Sequence, residues 1–217
     1  MVVRRKIGLI YRHVLIYRVV LNLLYLGRYR QRFDRVLARL DRRRDKRLVE
    51  LCFGDIYIAQ WCVKHRIEYL GIDVNPSFVN WARARGHNVL RADLRERPPL
   101  GASDVVVIAG SLYHFHDILD EFIHWAMAST RRLIIAEPIR NWASRNDVWG
   151  RIAGRLANAG AGPENFRYDA NSLRGELARV SEGRYSVDCS VYGKDAIAEL
   201  RHLADRAATT AVETGGE

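Results

Sequence analysis

Two histidines two residues apart, His114 and His116, stand beside Tyr113 in the run S-L-Y-H-F-H-D at 111–117. Imidazole titrates nearest to neutrality of all side chains, so either histidine is suited to take a proton from an alcohol or phenol. A His-x-His pair also invites a metal, with Asp117 and Glu137 as further ligands, but the spacing matches no known site and none is expected. Elsewhere three acids stand out. Glu50 interrupts an apolar run, a costly place for a carboxylate unless it is paired. Asp73 and Asp93 each close an apolar run, where an acid either caps a turn or accepts hydrogen bonds from a ligand. Gly54 and the pair Gly110-Ser111 follow two other runs.

The elements that carry these residues alternate between strand and helix. The stretch 47–59 reads as a strand, a tight turn at Gly54 and a helix running to about residue 66. A second strand, 68–74, ends in Asp73, about twenty residues past the turn, where a carboxylate in a dinucleotide-type site accepts from ribose hydroxyls. Strands at 88–92, 104–109 and 133–136 follow, the last ended by Pro138. Between them lie a helix at 76–85, capped by Asn75 and stopped by Gly86, and one at 117–129 with Ile118, Phe122, Ile123 and Trp125 inward. A helix at 166–180, a strand at 185–192, a turn at Gly193-Lys194 and an antiparallel return at 196–200 complete the pattern. In such open α/β sheets a ligand binds outside the carboxyl ends of the strands.

In this order the chain resembles the class I S-adenosylmethionine (SAM)-dependent methyltransferases from about residue 47 to about 201. The resemblance rests on E-L-C-F-G-D (50–55), G-I-D-V-N (71–75), R-A-D-L (91–94), S-D-V-V-V-I-A-G-S (103–111) and R-L-I-I-A-E-P (132–138). No one of these is specific; five in the family's order are. It implies an α/β fold, a Rossmann-like seven-stranded, mostly parallel sheet with an antiparallel terminal hairpin, preceded by N-terminal helices. It implies S-adenosyl-L-methionine as cofactor, held by Glu50, Cys52, Gly54, Asp73, Val74, Asp93, Leu94, Gly110 and Ser111. Within that set Glu50 would brace the glycine turn and the cofactor's amino end, and Asp93 would accept from the adenine amino group. His114, His116 and Tyr113 fall at the family's acceptor edge and are the expected catalytic residues. Of the family's three alternating glycines only Gly54 is present, with Cys52 and Ile56 at the other two positions.

The expected reaction is methyl transfer to a hydroxyl of a small-molecule or lipid-linked acceptor. An Asn/Asp-Pro-Pro-aromatic run, frequent in members that methylate bases, is absent, which disfavours DNA. The alternative is a non-catalytic methyltransferase-like domain tethered to a membrane by a basic arm, in keeping with the two missing glycines. A nicotinamide-dependent oxidoreductase is disfavoured because G-x-G-x-x-G is absent.

The 217 residues and 48% hydrophobic composition are those of one folded domain with an appendage. Residues 1–50 hold 15 Lys+Arg against 4 Asp+Glu, so the formal +10 of the chain lies entirely in its first quarter. We therefore expect a basic, amphipathic helical arm at 1–46, the methyltransferase unit at 47–203 and a disordered tail at 204–217. Arg12, His13, Arg18 and Asn22 interrupt the apolar stretch of the arm, which argues against a membrane span, and no small-residue cleavage site follows it. Two roles compete for the arm: lying in a membrane interface, or capping its own domain. A basic helix over 29–47 would turn Phe33, Val36, Leu37 and Leu40 to one face. Arginines without interleaved aromatics rank an anionic membrane above nucleic acid. Three cysteines, Cys52, Cys62 and Cys189, form no disulfide framework, and the expected location is the cytoplasm with a peripheral membrane contact through 1–46.

Overall fold

The computed structural model describes residues 29–139 and 166–204. Three expectations lie outside those residues: the apolar half of the arm, the irregular stretch after the fifth strand and the terminal tail. The first described element is helix α1 (Tyr29–Leu37), followed by β1 (Arg47–Leu51), α2 (Tyr57–His65), β2 (Glu68–Asp73), α3 (Pro76–Arg83) and β3 (Val89–Arg91). Then come β4 (Val105–Ala109), α4 (Leu119–Met127), β5 (Arg132–Pro138), α5 (Ala170–Ser181), β6 (Tyr185–Tyr192) and β7 (Asp195–His202). The seven strands form one sheet in the order β3-β2-β1-β4-β5-β7-β6.

β1 sits between β2 and β4, parallel to both, with Leu48 opposite Tyr69 on one side and Val105 on the other. A strand covered on both faces cannot alternate polar and apolar residues, which is why β1, β4 and β5 read as nearly continuous apolar runs. β7 is antiparallel to β5 and β6, the expected terminal hairpin, and it extends further than the sequence pattern implies, from Asp195 to His202.

Alternation along the strands sends side chains to two separate cores. Leu48, Val105, Val107 and Ile134 pack with Phe33 of α1, Ile58 of α2 and Phe78 of α3. Val49, Leu51, Val106 and Ile108 face the other way, onto Phe122 and Ile123 of α4 and Leu173 and Leu177 of α5. Each fully buried side chain of that size contributes ~1.5–3 kcal/mol.

Local chemistry sets where the helices begin and end. Asn75 Oδ1 accepts from the Ser77 N–H at 2.9 Å, capping α3 with Pro76 in its first turn. Asp169 and Ser172 form a capping box, so the helix expected from residue 166 begins only at Ala170. The expected single helix over 117–129 is instead a 3-10 turn, Leu112–Ile118, leading into α4. With three residues per turn, Leu112, Phe115 and Ile118 fall on one line and pack into the core.

The basic helix expected to reach residue 47 stops at Leu37, and 38–46 crosses the amino ends of the strands as turns. The reason is ionic. Arg132, buried at the start of β5, pairs with Asp45 and with Glu199 of β7 at 3.0 Å, and donates to the Arg39 carbonyl at 3.0 Å. Continuing α1 would carry Asp45 away from this cation. Among the described residues no helix is long and apolar enough to cross a membrane.

The Arg132 cluster predicts a stability effect. Arg132→Met leaves the buried Asp45 carboxylate without its counter-charge, while Glu199 keeps Arg39 and Arg201. The expected loss is ~3–5 kcal/mol, read as a lower urea midpoint. A midpoint within about 0.5 kcal/mol of the parent would show that Asp45 needs no partner there.

Candidate functional site

At the carboxyl end of β1 the chain makes a tight turn. Cys52 has φ 54° and Gly54 φ 50°, and the Cys52 N–H donates to Ile72 O of β2 at 2.8 Å. Cys52 thus takes the left-handed backbone that usually falls to glycine, with its thiol against Ser111 and burial the main cause of its raised pKa. The Gly54 N–H donates to Asp73 Oδ2 at 3.2 Å, and the Asn75 N–H donates to Asp73 Oδ1 at 2.7 Å. The acid at the end of β2 therefore ties together the turns that follow β1 and β2.

That assignment differs from the sequence expectation, which gave the bracing of the glycine turn to Glu50. In the structure Glu50 points from mid-strand into the α2 face, and its Oε2 accepts from the Tyr69 hydroxyl at 2.7 Å. Burial holds its pKa well above the usual carboxylate value despite that bond. Gly71, opposite Glu50 in register, is required here: a Cβ on it would meet the Tyr69 hydroxyl at 2.6 Å and Phe53 at 2.9 Å.

Asp73 is 7% exposed. Burial pushes its carboxyl up to about 6, against the Asn75, Gly54 and Val74 N–H groups that lower it. The next residue, Val74, is an exposed apolar side chain at 51%; Leu90 of β3, 40% exposed, stands opposite Ile72. Asp93 accepts from the Arg95 N–H at 3.0 Å and caps the 3-10 turn Leu94–Glu96, whereas the Leu94 side chain is buried in the core. Gly110, at φ 76°, donates its N–H to Ala136 O at 2.6 Å and leads into Ser111.

The 3-10 turn after β4 gives its two histidines different partners, although the His114 and Tyr113 rings meet at 3.9 Å. Tyr113 and His116 share a line of the turn, and His114 shares another with Asp117. The first line faces the segment before α5: the His116 ring stacks on Phe166 at 4.1 Å, and the Arg167 guanidinium lies 3.7 Å from the Tyr113 ring centre. On the second line, Arg95 donates to the His114 carbonyl at 2.6 Å and grips Asp117 at 2.9–3.0 Å. His116 Nδ1 is 3.1 Å from Tyr113 O, and a carbonyl can only accept. Nδ1 therefore carries the proton and Nε2 keeps its lone pair.

One residue of this edge was legible in the sequence only as a metal ligand. Glu137, at the end of β5, is 0% exposed; its Oε2 accepts from the Leu112 N–H at 2.9 Å, pinning the start of the histidine turn. Its Oε1 and the nearby Tyr168 hydroxyl are buried without a hydrogen-bond partner among the described residues. Burial pushes the Glu137 carboxyl up to about 8, opposed mainly by Arg32 of α1, then by the Leu112 N–H, Arg167 and the Tyr113 N–H. The acid after L-I-I-A was the visible signal for Glu137; nothing local marked Arg32. A groove of about 610 Å³ lies at the opposite, amino end of the strands, lined by Arg47, Ser103, Asp104, Ser129 and Arg131, and none of these side chains belongs to the carboxyl edge.

No protein-family model matches the chain, and no curated protein matches it by sequence. Solved structures do match. An O-methyltransferase family protein from Burkholderia thailandensis is 18% identical with a TM-score of 0.62, over 88% of this chain and 61% of that one. DhpI, solved with SAM, is 14% identical at 0.63, over 88% and 94%. PigF, solved with S-adenosylhomocysteine (SAH), is 10% identical at 0.65, over 88% and 60%. The chain thus spans about three fifths of the first and third of these proteins, and its fold is that of the class I methyltransferases.

Asp73 and Glu137 predict how stability depends on pH. Both carboxyls have raised values in the fold, so both favour the folded state when protonated. Their contribution is complete below ~4, the ordinary carboxyl value, and is lost as pH rises through about 6 for Asp73 and about 8 for Glu137. At 1.36 kcal/mol per unit the Asp73 part alone is on the order of 3 kcal/mol. The urea midpoint should fall between pH 5 and 9, and Glu137→Gln should remove the portion near pH 8. A midpoint level across that range would show that both carboxylates ionise in the fold without cost.

Proposed function

We propose that this chain, a class I methyltransferase by fold, transfers a methyl group from SAM to a hydroxyl of a small-molecule or lipid-linked acceptor. The carrying observation is the Gly54–Asp73 pair: a left-handed turn lets backbone approach a ligand, beside a buried carboxylate held by the Gly54, Asn75 and Val74 N–H groups with acceptor capacity left over.

The residues fit the cofactor. Asp73 would accept from the ribose hydroxyls, and the exposed Val74 next to it offers apolar surface to a purine. Asp93, Gly110 and Ser111 complete that edge, while Glu50 supports it through Tyr69. When bound, SAM would supply an electrophilic methyl on a sulfonium. The chain's own work is then to orient an acceptor hydroxyl in line and to hold its proton, and alignment alone accounts for much of such a rate. His116 Nε2 takes the proton, because the Nδ1–H is committed to the Tyr113 carbonyl and the ring is held flat against Phe166. The His114 ring packs on Tyr113 and its carbonyl is held by Arg95, and Tyr113 is engaged by Arg167, so we rank His116 first among the three.

The lipid-linked alternative draws support from the direction of α1. Arg32, near its start, meets Asp195 and Gly110 at the carboxyl edge, and Arg39, past its end, meets Glu199 near the amino end of β5. Tyr29, the first described residue, therefore stands toward the same edge as the proposed site. An arm that seats on an anionic membrane would bring the acceptor edge to the lipid.

Three measurements follow. Calorimetry with SAH should show saturable binding in preference to NAD, with affinity rising from pH 5 to 7 as Asp73 ionises, and Asp73→Ala should lose roughly 1.5–3 kcal/mol of it. Saturable NAD binding without any SAH heat would remove the cofactor assignment. His116→Ala should lower turnover with little change in SAH affinity, and more than His114→Ala does. Equal turnover of both variants and the parent would leave positioning as the whole mechanism. Full-length protein should pellet with anionic vesicles, and a chain beginning at Tyr29, which keeps the packed helix α1, should not. Equal pelleting of the two would take the lipid away.

A further inference from the structure

Arg32 reaches the proposed acceptor edge from an element laid down before the first strand. It is 5% exposed. Its Nε donates to Asp195 Oδ1 at 2.8 Å, and its Nη2 lies 2.7 Å from the same oxygen. Asp195 opens β7 and stands opposite Pro138, the residue after Glu137. The remaining nitrogen, Nη1, is 2.5 Å from where a Cβ on Gly110 would sit. Gly110 is therefore closed to a side chain twice over, by its φ of 76° and by the guanidinium. One cation thus touches the terminal hairpin and the turn after β4, and its field falls on Glu137.

We infer that Arg32 is a positioning residue of the acceptor edge: clamped by Asp195 and packed against Gly110, it holds the Gly110-Ser111 turn and the Glu137 carboxylate in one arrangement. The inference deepens the methyltransferase reading and rests on it for the meaning of that edge. A plain structural ion pair would fill the same space without acting on Glu137. The two roles separate because few groups among the described residues face Glu137. They are Arg32 from α1, the Leu112 and Tyr113 N–H groups from the turn after β4, Arg167 and Tyr168 from before α5, and Cys52 after β1. Asp195 faces Arg32, with Arg35 as a second cation at 3.8 Å.

The test follows the urea midpoint of the full chain from pH 5 to 10. In the parent, the decline assigned to Glu137 ends near pH 8. Arg32→Gln should carry it about one pH unit higher, the lower end of what an opposite charge at ~4–6 Å does to a carboxyl. Arg32→Lys, which keeps the charge, should return it toward pH 8, and Arg32→Gln in a Glu137→Gln background should move nothing. Because Arg32→Gln alone leaves the buried Asp195 only Arg35 at 3.8 Å, the pair Arg32→Gln with Asp195→Asn supplies a second variant in which the same shift is expected. An end point that stays near pH 8 in that pair, with the midpoint lowered equally at every pH, makes Arg32 a structural ion pair and overturns the inference. SAH titration of the parent, run alongside, reports on the methyltransferase reading separately: a parent that binds no SAH refutes that reading while the pH shift still decides the role of Arg32.

Discussion

The hydrogen bond from the Gly54 N–H to the Asp73 carboxylate is the contact on which the carboxyl edge depends. β1 and β2 are covered on both faces, so neither can place a charge mid-strand without a partner, and polar groups collect where the strands end. There Asp73 takes donors from two turns at once and sets the path of the chain into α2 and α3. The same logic recurs on β5, where Glu137 accepts from the Leu112 N–H and fixes the entry to the histidine turn. Glu50 is the exception that lies mid-strand, and it is tolerated because Tyr69 on the neighbouring strand supplies a hydroxyl.

The amino end of the sheet is held by a different force. Arg132, Asp45, Glu199, Arg39 and Arg201 form one linked ionic cluster joining 38–46 to β5 and β7. Together with the Arg32–Asp195 pair nearer the carboxyl edge, it seats α1 along the sheet in a defined direction. That direction turns the start of α1 toward the carboxyl edge.

At the acceptor edge the 3-10 geometry gives groups that are neighbours in sequence different partners. His116 turns to Phe166 and Arg167's segment, while the His114 backbone and Asp117 are gripped by Arg95. A hydrogen bond to Tyr113 O then leaves His116 with its free lone pair at Nε2. Proton acceptance and ring placement thus arise from one short turn and one stacked phenylalanine.

The sequence by itself determined the elements and the edge. Apolar runs of strand length ending in Asp73, Asp93 and Gly110-Ser111 mark the carboxyl ends, and the caps at Asn75 and Asp93 act within two residues, so local chemistry suffices to read them. It also showed the hairpin at 185–200, because a period of two around Gly193 has little other reading. What only the tertiary structure decided are the partnerships that strand order creates. Arg32 and Asp195 are 163 positions apart and meet because β7 inserts beside β5. Glu50 finds Tyr69 rather than the glycine turn because register places their strands side by side. Glu137 is buried, and α1 ends at Leu37, for reasons that lie on other strands. Periodicity records which face a residue takes; which distant charge it meets there is set by the order and register of the strands.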